Sequence, residues 1–223
     1  MLERRSDREL TQRILRELKW DSQIDWASIN VEVKDAVATL TGVVSSYASK
    51  IAAQEAAHRV AGVLDVANDI EVKPVDHFAR TDTEIAGAVR NALEWDALVP
   101  NELIKSTVSD GWVTLEGDVD YWREREDAQR AILRLTGVVG VINKITIRKR
   151  PVDPKELREQ IEYALERRAD REAERLRVEV HDGAVDLWGR VHSWQEKRAV
   201  LGSISHAPGV VEVTDHLRID PYF

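Results

Sequence analysis

Cysteine is absent from the 223-residue chain, so disulfide stapling and thiolate metal sites are both excluded. No apolar run is long enough to cross a bilayer. The charged opening Met1–Arg8 leads straight into an amphipathic segment with no apolar stretch behind it, so no export signal is read and a cytoplasmic location is expected. A basic excess is lacking as well. The 32 Lys and Arg stand against 40 Asp and Glu, a net charge of −8, and the acidic excess runs through the whole chain. A duplex nucleic-acid partner, which demands a concentrated basic face, is therefore not expected. The one tight cationic run, Arg148-Lys149-Arg150 before Pro151, reads as a solvated linker. Catalytic signatures are missing too, with no Gly-x-Ser-x-Gly, P-loop or dinucleotide fingerprint, so the expectation is a protein that is not an enzyme.

What is present is a pattern repeated three times. Ser6, Thr81 and Asp153 are each followed three residues later by Glu9, Glu84 and Glu156. Downstream, Gly42 matches Gly117 and Gly189, and Gly62 matches Gly137 and Gly209, always at offsets of 75 and then 72 residues. Copies that diverge in sequence yet keep register must satisfy one fold. The expected domains are 1–75, 76–150 and 151–223. Units of this size lie near the lower limit for a self-sufficient core, and the linkers between them are short, so the units should touch.

Each copy predicts the order αββαβ. The first helix carries one apolar stripe: Leu10, Ile14, Leu18, then Ile85, Val89, Leu93, then Leu157, Ile161, Leu165. Its start bears a capping-box pattern, joined in the third copy by Pro154 at the first helical position. Two alternating runs follow around Asp35-Ala36, Asp110-Gly111 and Asp182-Gly183, which reads as a hairpin, although alanine makes the first turn less regular. A second helix is predicted over 46–61, 121–136 and 193–207, and then a last strand. The fold class is α+β, three tandem units of two helices on a small mixed three-stranded sheet. Gly42, Gly117 and Gly189 are expected to let a helix approach the sheet. Gly62, Gly137 and Gly209 are expected to cap the second helix.

Candidate functional residues come from the aromatics. Seven tryptophans stand against two phenylalanines. Tyr47, Trp122 and Trp194 are equivalent near the start of the second helix and read as packing residues that could also serve an interface. Trp20 and Trp95 are equivalent at the end of the first helix, where the third copy has Arg167. Trp188 falls between core-facing Leu187 and Gly189, so parity sends it to the opposite sheet face with Asp186 and Arg190, where the sibling copies have Thr41 and Glu116. An aromatic among polar siblings suggests an interface with a neighbouring unit or a partner. Trp95-Asp96-Ala97-Leu98-Val99 offers apolar surface beside acids, a poor match for anionic lipid. His181, His192, His206 and His216 lack zinc-ligand spacing. The acidic run Asp118, Asp120, Glu124, Glu126, Asp127 reads as a solvated helix start with Asp120 as N-cap rather than a cation site.

The αββαβ order, the strand glycines in Leu40-Thr41-Gly42-Val43-Val44, Leu115-Glu116-Gly117-Asp118-Val119 and Leu187-Trp188-Gly189-Arg190-Val191, and the Gly-Val before each last strand resemble the BON domain. The resemblance covers nearly the whole chain. It implies a non-catalytic binding module of the kind found in bacterial osmotic-stress proteins, with a phospholipid surface, a protein or a small ion as partner. No cofactor is expected; potassium enters only through the resemblance to one cytoplasmic lineage, whose accompanying LysM domain this sequence does not show.

Overall fold

The structure is a computed structural model that describes residues 5–74, 80–168, 176–205 and 207–221. The predicted linker positions 75–79, with the boundary between the first two domains, lie outside the described residues.

Unit 1 comprises α1 (Asp7–Trp20), β1 (Ile29–Lys34), β2 (Val37–Val44), α2 (Tyr47–Arg59) and β3 (Asp65–Val72). Unit 2 repeats it as α3 (Asp82–Trp95), β4 (Ile104–Ser109), β5 (Trp112–Val119), α4 (Trp122–Ile132) and β6 (Gly140–Ile147). Unit 3 consists of α5 (Pro154–Arg168), β7 (Arg177–His181), β8 (Ala184–Val191), α6 (Trp194–Ser205) and β9 (Glu212–Ile219). In each sheet the second strand is central, antiparallel to the first and parallel to the last. A parallel neighbour requires a crossover, which the second helix supplies.

The predicted stripes are the cores. Leu10, Ile14 and Leu18 are buried against Ala38, Leu40 and Ile70, and the same layering recurs around Ile85, Val89 and Leu93 and around Leu157, Ile161 and Leu165. Capping boxes close α1 and α3, with Ser6 and Glu9, or Thr81 and Glu84, bonded reciprocally. In unit 3 Asp153 instead accepts from the Lys155 amide at 2.8 Å.

All three hairpins turn through left-handed pairs, Asp35-Ala36, Asp110-Gly111 and Asp182-Gly183. The alanine that made the first turn look less regular therefore adopts φ +64° in the same turn. A carboxylate holds it there: Asp7 accepts from the amides of Asp35 and Ala36 at 3.0 and 2.9 Å, as Asp82 does from Asp110 and Gly111. Pro154 occupies this position in unit 3.

Both glycine readings need correction. A Cβ on Gly42 would lie 2.1 Å from the Ser28 carbonyl oxygen, and one on Gly117 at the same distance from that of Leu103. The close neighbour is the last residue of a short 3-10 turn, Trp26–Ser28 or Asn101–Leu103, where the backbone enters the paired strand, and not a packed α-helix. Gly62, Gly137 and Gly209 have positive φ but lie beyond the ends of their helices. They sit third in β-turns closed by Val63 to Val60, Val138 to Leu135, and Val210 to Ala207. The second helices accordingly stop short of their predicted ends, because an i to i+3 turn with glycine third replaces the last helical turn.

Candidate functional site

The repeated aromatic at the start of the second helix joins one unit to the next. Tyr47 packs against the cores of units 1 and 2, and Val139 of unit 2 packs on the core of unit 1. Burial pushes the Tyr47 hydroxyl above the ordinary phenol value, partly offset by a hydrogen bond with the Val141 backbone. Trp122 of unit 2 shares a cleft with Ser205, Ala207, Gly209 and Val210 of unit 3. Trp194 of unit 3 stacks on His58 of unit 1, centroids 4.0 Å apart and planes 19° from parallel. Arg198 of the same helix meets Glu55 of unit 1 at 3.1 Å. Unit 1 thus packs on unit 2 and unit 3 on unit 1, while units 2 and 3 face one another across a cleft, a cycle in which one repeat position turns towards the following unit.

His58 is 9% exposed. Burial first, and the Arg198 guanidinium second, hold its pKa down at about 4, with Asp65 pulling the other way. The imidazole is neutral at pH 7, which suits a ring stacked beneath an indole.

The acidic run of unit 2 is not the solvated helix start that its composition suggested. Asp127 has a side chain only 3% exposed, flanked by Arg130 at 2.8 Å and Arg123 at 3.4 Å. Asp120 does not cap α4: the N-cap is Tyr121, and the Glu124 carboxylate accepts from the amides of both Asp120 and Tyr121. Asp120 instead pairs with Arg148 at 3.5 Å and Arg150 at 3.1 Å, so the cationic run is tied back to unit 2 rather than left as free linker. The burial of Asp127 carries a sequence signal only in retrospect, since its repeat equivalents are Ala52 and Ala199.

On the outer face of the third sheet, Trp188 stands in register between Arg177 and His216. It stacks on His216 at 5.0 Å, with the Arg177 guanidinium 5.4 Å from its ring. Asp186 approaches His216 at 3.4 Å, and Arg190 reaches Asp220 at 3.6 Å. Trp188, Asp186 and Arg190 thus form one surface row, separate from Trp122 and Trp194 at the joints. Among the described residues no group of three or more His, Asp or Glu could hold a metal ion. His206 lies outside them.

Trp20 and Trp95 form a third grouping. They end α1 and α3 and are 89% and 87% exposed, with Trp26 at 43% and Leu98 at 51% beside the respective helix ends. The side chain of Arg167, their counterpart, lies outside the described residues. Sequence spacing found the equivalence of the two tryptophans; their exposure follows because each stands off the buried stripe at the last helical residue.

Comparison with known proteins gives a family match and distant relatives. The family model of the BON domain matches residues 6–74, 81–149 and 153–221. Osmotically-inducible protein Y of Escherichia coli (strain K12) is 27% identical over 143 residues, which span 62% of this chain and 71% of that protein. Two solved structures of CdsD, a structural protein of the type III secretion system of Chlamydia trachomatis, align over 95% and 97% of this chain and 92% and 100% of theirs. Their identities are 11% and 12% and their TM-scores 0.28 and 0.27, too low to bear on the architecture or role of this chain. No described helix is long and apolar enough to cross a membrane.

Proposed function

The chain belongs to the BON domain family, and from that premise we propose that it is a stress-related binding protein without a catalytic role, docking on a phospholipid surface through the tryptophan ends of α1 and α3. The stress assignment rests on its similarity to osmotically-inducible protein Y. The observation that carries the docking is the exposure of Trp20 and Trp95, two indoles left almost wholly in water at one repeat position.

Indole favours the boundary between water and acyl chains, with its ring in the apolar layer and its N–H in the headgroups. Trp26 and Leu98, which follow the respective anchors in sequence, are exposed apolar side chains as well. Both anchors occupy the same repeat position, the last residue of α1 and of α3, so each unit presents its indole at the same point of its own fold. The flanking Asp21, Glu94 and Asp96 oppose anionic headgroups. They suit zwitterionic lipid, whose ammonium group faces outward and is attracted to aromatic faces.

The test is quenching of tryptophan emission by zwitterionic vesicles with brominated acyl chains. Quenching that disappears in the Trp20→Ala, Trp95→Ala double variant is expected. Emission unchanged by such vesicles would overturn the docking reading.

A further inference from the structure

The three joints of the cycle are built alike but filled differently. The repeat positions that carry Leu133 and Leu135 in unit 2, and His58 and Val60 in unit 1, carry Ser205 and Ala207 in unit 3. Side chains there are smaller, and a cleft of about 390 Å³ lies between units 2 and 3, walled on the unit 2 side by Tyr121 and Trp122. That volume lies within the range of small-molecule sites, roughly 300–1,000 Å³.

Asp127 also lines this cleft, and like Tyr121, whose equivalents are Ser46 and Ser193, it departs from its siblings, which have Ala52 and Ala199. Its Oδ1 accepts a hydrogen bond from Arg130 Nη1 at 2.8 Å. Its Oδ2 lies 3.4 Å from Arg123 Nε, within ion-pair range, yet it is buried and accepts no hydrogen bond. The geometry of that second contact decides its meaning: the charges attract, but the acceptor lone pairs remain unused. A buried acceptor left in this state costs about 1–3 kcal/mol, so a donor from outside the chain would be well received.

We propose that the cleft between units 2 and 3 binds a small uncharged polyhydroxy compound, one hydroxyl donating to Asp127 Oδ2 as the largely exposed Arg123 side chain turns aside from it, and the C–H face of the molecule lying against Trp122 and Tyr121. A cation is the poorer fit, because two guanidinium groups already flank the single buried carboxylate. A polyol brings both what the site lacks and what it offers: hydroxyl donors for Asp127, and hydroxyl oxygens that accept from Arg123, whose side chain is 60% exposed.

The experiment uses the full chain with sorbitol and trehalose as probes and choline chloride as the cationic comparator, read by calorimetric titration and tryptophan fluorescence. Polyols raise the melting temperature of proteins in general by exclusion from the surface, so saturation is the deciding signature. Expected is a saturable response to at least one polyol, weakened tenfold or more by Asp127→Ala and by Ala207→Leu. Ala207→Leu places in unit 3 the residue that unit 2 carries as Leu135, keeps the carboxylate, and decides the matter alone if Asp127→Ala does not fold. A linear response shared by wild type and both variants overturns the proposal. So does the lack of any saturable response to either polyol, or saturable binding confined to choline.

Discussion

His58 couples the contact between units 1 and 3 to pH. Its pKa in the folded chain is about 4, against an ordinary value of 6.5. Between these values the unfolded chain binds the proton and the folded chain does not, so stability is complete above pH 6.5 and falls as the pH drops towards 4. The loss is at most about 3 kcal/mol. His58→Leu, which copies the Leu133 of unit 2, should flatten the dependence of the melting temperature between pH 7 and 5; an unchanged slope would assign it to other groups. At the same scale, Ala36 holds φ +64° without the freedom of glycine. Ala36→Gly should stabilise unit 1 by about 0.5–1 kcal/mol, measurable by chemical denaturation. His58 and Asp127 do not announce their roles in the sequence. His58 reads as one more polar helix residue, and Asp127 as part of a charged run, because burial depends on a neighbouring unit or a neighbouring turn that spacing does not reveal.

Among elements, the hairpin and the first helix are bound by one side chain. Asp82 stands at the first position of α3, where its charge favours the helix N-terminus, and it also accepts from both amides of the hairpin turn. Asp82→Ala should cost unit 2 about 2 kcal/mol and speed amide exchange at Asp110 and Gly111. Retained protection there would show that the turn holds itself. A second clip ties the last strand to the crossover helix. Asn68 and Asn143 donate to the carbonyls of Lys50 and Arg125, whereas unit 3 pairs Asp215 with Lys197 at 2.6 Å. Helices, hairpins and cores were legible from periodicity and caps, since those depend on residues close in sequence. The partners of the glycines were not: the Ser28 carbonyl beside Gly42 is brought there by strand pairing, and a positive φ alone does not distinguish a helix cap from a β-turn.

For the whole molecule, the cycle of contacts turns three small units into one body. Tyr47, Trp122 and Trp194 mark the joints, yet the sequence names only one side of each, because an aromatic repeated three times does not say which surface it meets. Closure between units 3 and 1 rests on the stack of Trp194 and His58 and on the Arg198–Glu55 ion pair. In Trp194→Ala the imidazole should regain solvent and titrate near its ordinary value, followed by proton NMR; a pKa still near 4 would mean that burial within unit 1 suffices. The functional account depends on the exposed Trp20 and Trp95 at the ends of α1 and α3. The most direct measurement is the partition of the chain onto phosphatidylethanolamine–phosphatidylcholine vesicles, by flotation, for wild type and for the Trp20→Ala, Trp95→Ala double variant. Two lost indole anchors should lower the partition coefficient at least tenfold, with the circular dichroism of the two proteins alike; equal partition of both, or no partition of the wild type, would contradict the account.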